Sequence, residues 1–397
     1  MNVIPAQAIF KKLAVVQALA MATLAGTQAH AITWDGSTNN LWLTADNWTL
    51  ATVPNAVGAQ VTLDRAAMAT PGNLNLDIGG NTVTVGRIDV VTTTNFEVTF
   101  SNGKIVFDNG GSNAIWNVEN DGGSKSPVTV KLGNVEFNLS DNLVVTSRSS
   151  QQFRPGGTLT DAAGESHSVT YTSDLGFGNK GFKLAWTATN TGGTIVDAGQ
   201  IRFNSLNGDN FIGQAASGAD IVLKNGGLIW NEESNHTLSR SIEIGTGGGS
   251  LVSEGNKFLT LSGEISGSGD LKISTKDTGV ATVNLTGATA NSLTGNVLLD
   301  NPNSVNTLTL MVVADKVGAF GQTPMLTIDD QVTLQITANA IGGQGAIHDS
   351  LTLVKLMGLN SFIDVATGVD ELIGAGMLQV FDGASLVTIA NGTYLGG

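Results

Sequence analysis

Between Leu238 and Leu299 the chain never runs far enough without a Gly, Ser or Asn corner to form a helix of ordinary length. Segments such as SIEI, SLVSE, FLTL, LKIS and VATVNL alternate apolar and polar residues, and each stops at a corner such as GTGGG, SGSGD or TGATANS. Period-2 alternation is the signature of a strand with one buried face. A chain built this way has to stack short strands. Turn signals recur roughly every 8–12 residues, the spacing of all-β architecture, and three strand-plus-corner units make a coil of roughly 20–30 residues. One coil cannot bury its own apolar side, so successive coils must lie on each other and share a core. The expected fold class is all-β, a parallel β-helix or solenoid.

Composition agrees with many strands and tight turns. Gly supplies 51 of 397 residues and only 13% are charged, while 41% are hydrophobic, which argues against disorder. The net charge of −14 argues against nucleic acid as a partner, because phosphate recognition needs clustered Lys and Arg. Anionic membrane surfaces are disfavoured for the same reason. Cys is absent, which excludes a disulfide framework, thiol chemistry and Cys-based zinc sites.

Residues 1–31 have the layout of a signal peptide: Lys11-Lys12, an apolar core from Leu13 to Ala25, and the small-x-small site Ala29-His30-Ala31. No later run has the ~18 apolar residues of a membrane span. The expected location is therefore outside the cytoplasm: extracellular, at the outer cell surface, or periplasmic. Residues 32–64 hold Trp34, Trp42 and Trp48 among small polar residues, and are expected to form an N-terminal cap over the open end of the stack rather than a platform for sugar rings. Residues 65–175 read as a first β-helix section. Its rhythm breaks in the polar stretch near 148–174, expected to project as a loop and to be the place for any specific activity. Residues 176–340 resume the strands. Residues 341–397 differ and are expected to form a C-terminal cap, with a helical turn within Asn360–Ile373 and a closing hairpin from MLQVFD and SLVTIA.

Within the strand-rich part, LTLSGEISGSGDLKIS (Leu259–Ser274) and LTGATANSLTGNVLLDN (Leu285–Asn301) resemble the autotransporter-associated β-strand repeat of passenger-type exported proteins. Val317-Gly318-Ala319-Phe320-Gly321 is similar to its closing corner, and Thr191–Gly208 with Asn225–Trp230 to a further copy. The resemblance implies a right-handed parallel β-helix, exported from a Gram-negative-type cell and displayed at its surface. Leu293 stands where the family commonly has an aromatic residue. The residues after Gly345 are also too few for a translocator barrel of alternating membrane strands. An anchor would then come from another chain or from sequence beyond this one.

Residues that could carry chemistry are few. His167, His236 and His348 sit in turn-like contexts, and His348-Asp349-Ser350 contains the residue types of a triad without its geometry. Polysaccharide lyases and hydrolases use clustered carboxylates, and the candidates are Glu232-Glu233, Asp329-Asp330, and the separated Asp35 and Asp46. Adjacent acids on a strand point to opposite faces, so these read as solvated corner acids unless a corner brings them together. Gly342–Asp349 approximates a GGxGxD calcium repeat, but its Asp falls late and the copy is single. Gly247-Gly248-Gly249 lacks the following helix that a phosphate cradle needs. No catalytic, cofactor or metal residue is assigned. The expected function is non-enzymatic adhesion or structure at the cell surface or in the matrix, through outward ladders of Asn, Thr and Ser that contact glycans or other surface proteins. A polysaccharide-degrading enzyme on the same scaffold is the alternative.

Overall fold

A computed structural model of the chain describes residues 31–69, 73–92, 96–120, 128–132, 135–147, 156–173, 181–203, 208–276, 278–302, 308–316, 318–329 and 331–336, then the backbone of six strands between 353 and 394. Residues 1–30, His348 and Asp330 lie outside the described residues. The strands form three long sheets of 11, 14 and 7 members and one small pair. Every pairing between named strands is parallel, and strands inside the long sheets bond to the equivalent strand one coil earlier and one coil later, as in the series Gln200–Phe203, Gly227–Asn231, Gly249–Glu254, Leu271–Lys276 and Val297–Asp300. This is the parallel β-solenoid expected from the alternation. Among the described residues the only helical elements are four 3-10 turns.

The core consists of aligned inward rows. Ile201, Ile229, Leu251, Ile273 and Leu299 stand opposite one another in register, and none is exposed. Repeating the same period-2 position in each coil places like on like, so one row buries apolar side chains continuously along the axis. A second inward row is polar: Asn231 and Ser253 are fully buried, and Asn231 Nδ2 donates to Ser253 Oγ at 3.3 Å and to the Phe258 carbonyl at 3.1 Å. These contacts satisfy the Asn231 amide nitrogen, while Asn231 Oδ1 and Thr275 Oγ1 of the same row have no partner among the described residues.

The coil's cross-section changes along the molecule. A separate third sheet begins only at His236–Leu238. In earlier coils bent strands do part of that work. Leu74–Val85 shifts register between Asp77 and Asn81, where Gly79 and Gly80 both have positive φ (66° and 74°). That bend requires Gly, since a side chain is disfavoured in the left-handed region. Phe96–Phe107 pairs with Val128–Leu132 along its front half and Val135–Leu139 along its back half.

The Trp-rich start packs as a cap. Trp34, Trp42 and Trp48 are all buried and meet edge to face, with ring centroids 4.8 and 4.9 Å apart. Trp42 Nε1 donates to the Pro54 carbonyl at 3.1 Å, and its ring reaches Phe100, which continues into the Trp116–Phe137 cluster. Sugar stacking is closed to these indoles because their faces are already covered.

Two expectations are corrected. The stretch near 148–174 does not simply project: Gly156–Asp161 and Val169–Thr172 are rungs of the second and first sheets, paired on both sides. Its polar residues fill the corner between them. At the other end, the expected closing hairpin does not form, and the described parts of Asn360–Ile373, Phe362–Val365 and Glu371–Leu372, are strands. Phe362–Val365 pairs with Val332–Ile336, Met377–Val380 with Leu353–Leu356, and Val387–Ile389 with Phe362–Val365, all parallel. MLQV and VTI therefore lie in different sheets, and the described strands of 341–397 extend the stack.

Candidate functional site

The outward rows differ from sheet to sheet. On the third sheet Thr237, Thr260 and Asn284 stand in register, with Asn284 Nδ2 donating to Thr260 Oγ1 at 3.2 Å. This is the polar ladder expected from composition. On the first sheet the outward row through Ile115, Val144, Ile195 and Val222 is instead apolar and β-branched, broken only by Thr170. β-branched side chains favour strands on either face, which explains the row without a ligand.

The second sheet carries the densest chemistry. Its strands place two neighbouring rows outward, one running Gln200, Leu228, Ser250, Lys272 and the other Lys183, Arg202, Trp230, Val252, Ser274, Asp300. Between the rows lies a hollow of about 490 Å³, lined among others by Gln200, Trp230, Val252, Lys272, Lys276 and Pro302. Lys276 follows Lys272 and Ser274 at every second position of Leu271–Lys276, so all three point the same way. The Lys276 ammonium lies 3.8 Å from the centre of the Trp230 ring, and the Arg202 guanidinium carbon is 5.0 Å away. These are cation–π contacts on a largely desolvated indole.

One end of the rows holds an ion cluster. Arg202 Nη1 is 2.6 Å from Glu232 Oε1, while Lys183 Nζ bonds Glu233 and sits 3.9 Å from Glu232 Oε2. The Lys183 and Arg202 side chains are 2% and 1% exposed, so the acids are what keeps two cations inside. Glu232 thus departs from the solvated reading, whereas Glu233 pairs with Lys183 from an exposed corner position, as a solvated acid does. They follow the strand Gly227–Asn231, and the corner turns both onto one cationic pair.

The remaining acids and histidines serve local structure. The Asp35 carboxylate accepts from the Ser37 amide at 2.9 Å and so supports a turn, while Asp46 takes part through its backbone carbonyl, which accepts from Ser37 Oγ. The Asp329 amide donates to the Leu299 carbonyl at 2.9 Å, a rung contact. His167 Nε2 pairs with Glu165 Oε2 at 2.8 Å at the surface. His236 Nε2 lies 3.1 Å from Ser234 Oγ, a nucleophile-and-base spacing, but the imidazole packs on Phe203 and is only 4% exposed. A base sealed this way cannot reach a substrate proton. Among the described residues no three His, Asp or Glu side chains are grouped to hold a metal ion, and no helix is long and apolar enough to cross a membrane.

Sequence reasoning passed over Lys183, Gln200, Arg202, Trp230 and Lys276. Their signal was present as i, i+2 spacing in Gln200-Ile201-Arg202 and Lys272-Ile273-Ser274-Thr275-Lys276. Only the register between coils shows that these pairs lie side by side. No protein-family model matches the chain, and neither a curated protein nor a solved structure does.

Proposed function

We propose that this chain is an exported, non-enzymatic β-solenoid that works at the cell surface or in the extracellular matrix, in adhesion or as structure. The observation that carries the reading is the unbroken parallel stack with its outward rows in register, such as Thr237, Thr260 and Asn284. Strand spacing of about 4.8 Å repeats each contact along the axis, so weak individual contacts to a polymer or a neighbouring chain add up. The leader-like residues 1–31 and the resemblance of Leu259–Ser274 to passenger repeats support export and display. An epitope-tagged full chain, expressed in a Gram-negative host, tests this. The expected result is a mature N-terminus at Ile32 and label accessible to a membrane-impermeant reagent. Retention in the cytoplasm with Met1 intact would refute it.

A second reading, a polysaccharide lyase or hydrolase, is favoured by one cluster: Lys183, Arg202, Glu232 and Glu233 on an outward face. Two carboxylates meet there, each neutralised by a cation, where acid/base cleavage needs one of them free to exchange a proton. The cluster stands as an ion network that holds the corner.

A further inference from the structure

We propose that the hollow beside Trp230 binds a carboxylate-bearing sugar residue of an acidic polysaccharide. The inference rests on the reading above only in taking the surface to meet extracellular polymers. The chain is acidic, with 33 Asp and Glu against 19 Lys and Arg, yet among the described residues the hollow is lined by Lys272 and Lys276 and by no Asp or Glu. Lys272 is paired with Asp300. Lys276 faces the Trp230 ring and has no carboxylate within ion-pairing distance among the described residues. It is the cation left for a ligand.

Two donors support it. Gln200 and Trp230 are 8% and 5% exposed, both line the hollow, and neither Gln200 Nε2 nor Trp230 Nε1 has an acceptor among the described residues. A buried N–H without an acceptor is costly, so a site that leaves two beside a free ammonium is short of oxygen acceptors. A carboxylate and ring hydroxyls supply them. Leu228, Val252 and Pro302 add apolar surface to the same wall, which suits the C–H face of a sugar ring. The volume of about 490 Å³ falls within the ~300–1,000 Å³ range of ligand pockets. The nearby acids Glu232 and Glu233 are held by Arg202 and Lys183, so they do not present free negative charge to the ligand.

Calorimetric titration of the full chain with oligogalacturonate, and with a neutral gluco-oligosaccharide of equal length, tests the assignment. The acidic oligomer should bind, more weakly as salt is raised, and the neutral one should bind at least tenfold more weakly. Lys276→Met should weaken acidic binding about tenfold, as loss of a charge-assisted hydrogen bond does. Gln200→Leu should weaken it severalfold, and Lys224→Met, on the first sheet, should leave it unchanged. Unaltered thermal midpoints show that the variants are folded. Equal binding of both oligomers, or full binding by folded Lys276→Met, overturns the site, as does the absence of binding. If the acidic oligomer binds and is also cut, the site stands and the non-enzymatic reading falls.

Discussion

Single residues here are decided by whether a buried charge has company. Arg202 and Lys183 tolerate burial because Glu232 and Glu233 turn back onto them from the corner. Removing one partner of such a pair strands the other, which costs far more than the pair is worth. Glu232→Gln should therefore lower unfolding stability by about 2–3 kcal/mol in a denaturant titration, whereas Glu165→Gln, at the surface, should cost under ~1 kcal/mol. Lys316 shows the opposite situation. It is 3% exposed, and burial lowers its ammonium to about 8, with Glu264 only partly opposing the shift. Its folded value lies below the unfolded one, so between pH 8 and 10.5 the unfolded chain holds a proton that the folded chain has released. Stability must rise with pH across that window, by at most ~1.4 kcal/mol per unit. Tyr171 works in the other direction, because burial raises its phenol well above 10.0 and its contribution is lost as pH climbs past that value. Urea midpoints measured from pH 8 to 9.5 should rise in the native chain, and the rise should vanish in Lys316→Met.

At the level of elements, corners and caps set the geometry that the alternation alone leaves open. Gly267 ends its strand with φ of +104°, and a Cβ there would stand 2.3 Å from the Ile244 carbonyl oxygen of the coil below. Gly267→Ala should cost about 2–4 kcal/mol, read as a lowered thermal midpoint, because backbone strain and a backbone clash act together. Trp42 is the centre of the N-terminal cap, and Trp42→Ala should cost about 3–5 kcal/mol by the cavity it leaves. Strands, their alternation and the Trp cap were legible in the sequence because each depends on local pattern. The tail was not. MLQVFD and SLVTIA look like hairpin partners because they are neighbours in the chain, yet each finds its partner one coil earlier, Leu353–Leu356 and Phe362–Val365. The outer-face hollow was illegible for the same reason. Trp230 and Lys276 are brought together by the registers Trp230↔Val252↔Ser274 and Glu254↔Lys276, which no single segment encodes.

For the whole molecule, parallel stacking turns a short repeated pattern into one long surface, and binding follows from it more directly than cleavage does. The three sheets present different faces: a polar ladder on the third, an apolar β-branched row on the first, and on the second a cationic hollow next to a neutralised ion cluster. We propose that these faces hold polymers without cutting them. The direct measurement is prolonged incubation of the purified full chain with pectin, polygalacturonate and alginate, following both new reducing ends and the ultraviolet absorbance of unsaturated lyase products. No product above the protein-free control is expected at any pH from 5 to 9. Steady release of oligosaccharides that disappears in folded Glu233→Gln or Lys183→Met would contradict it.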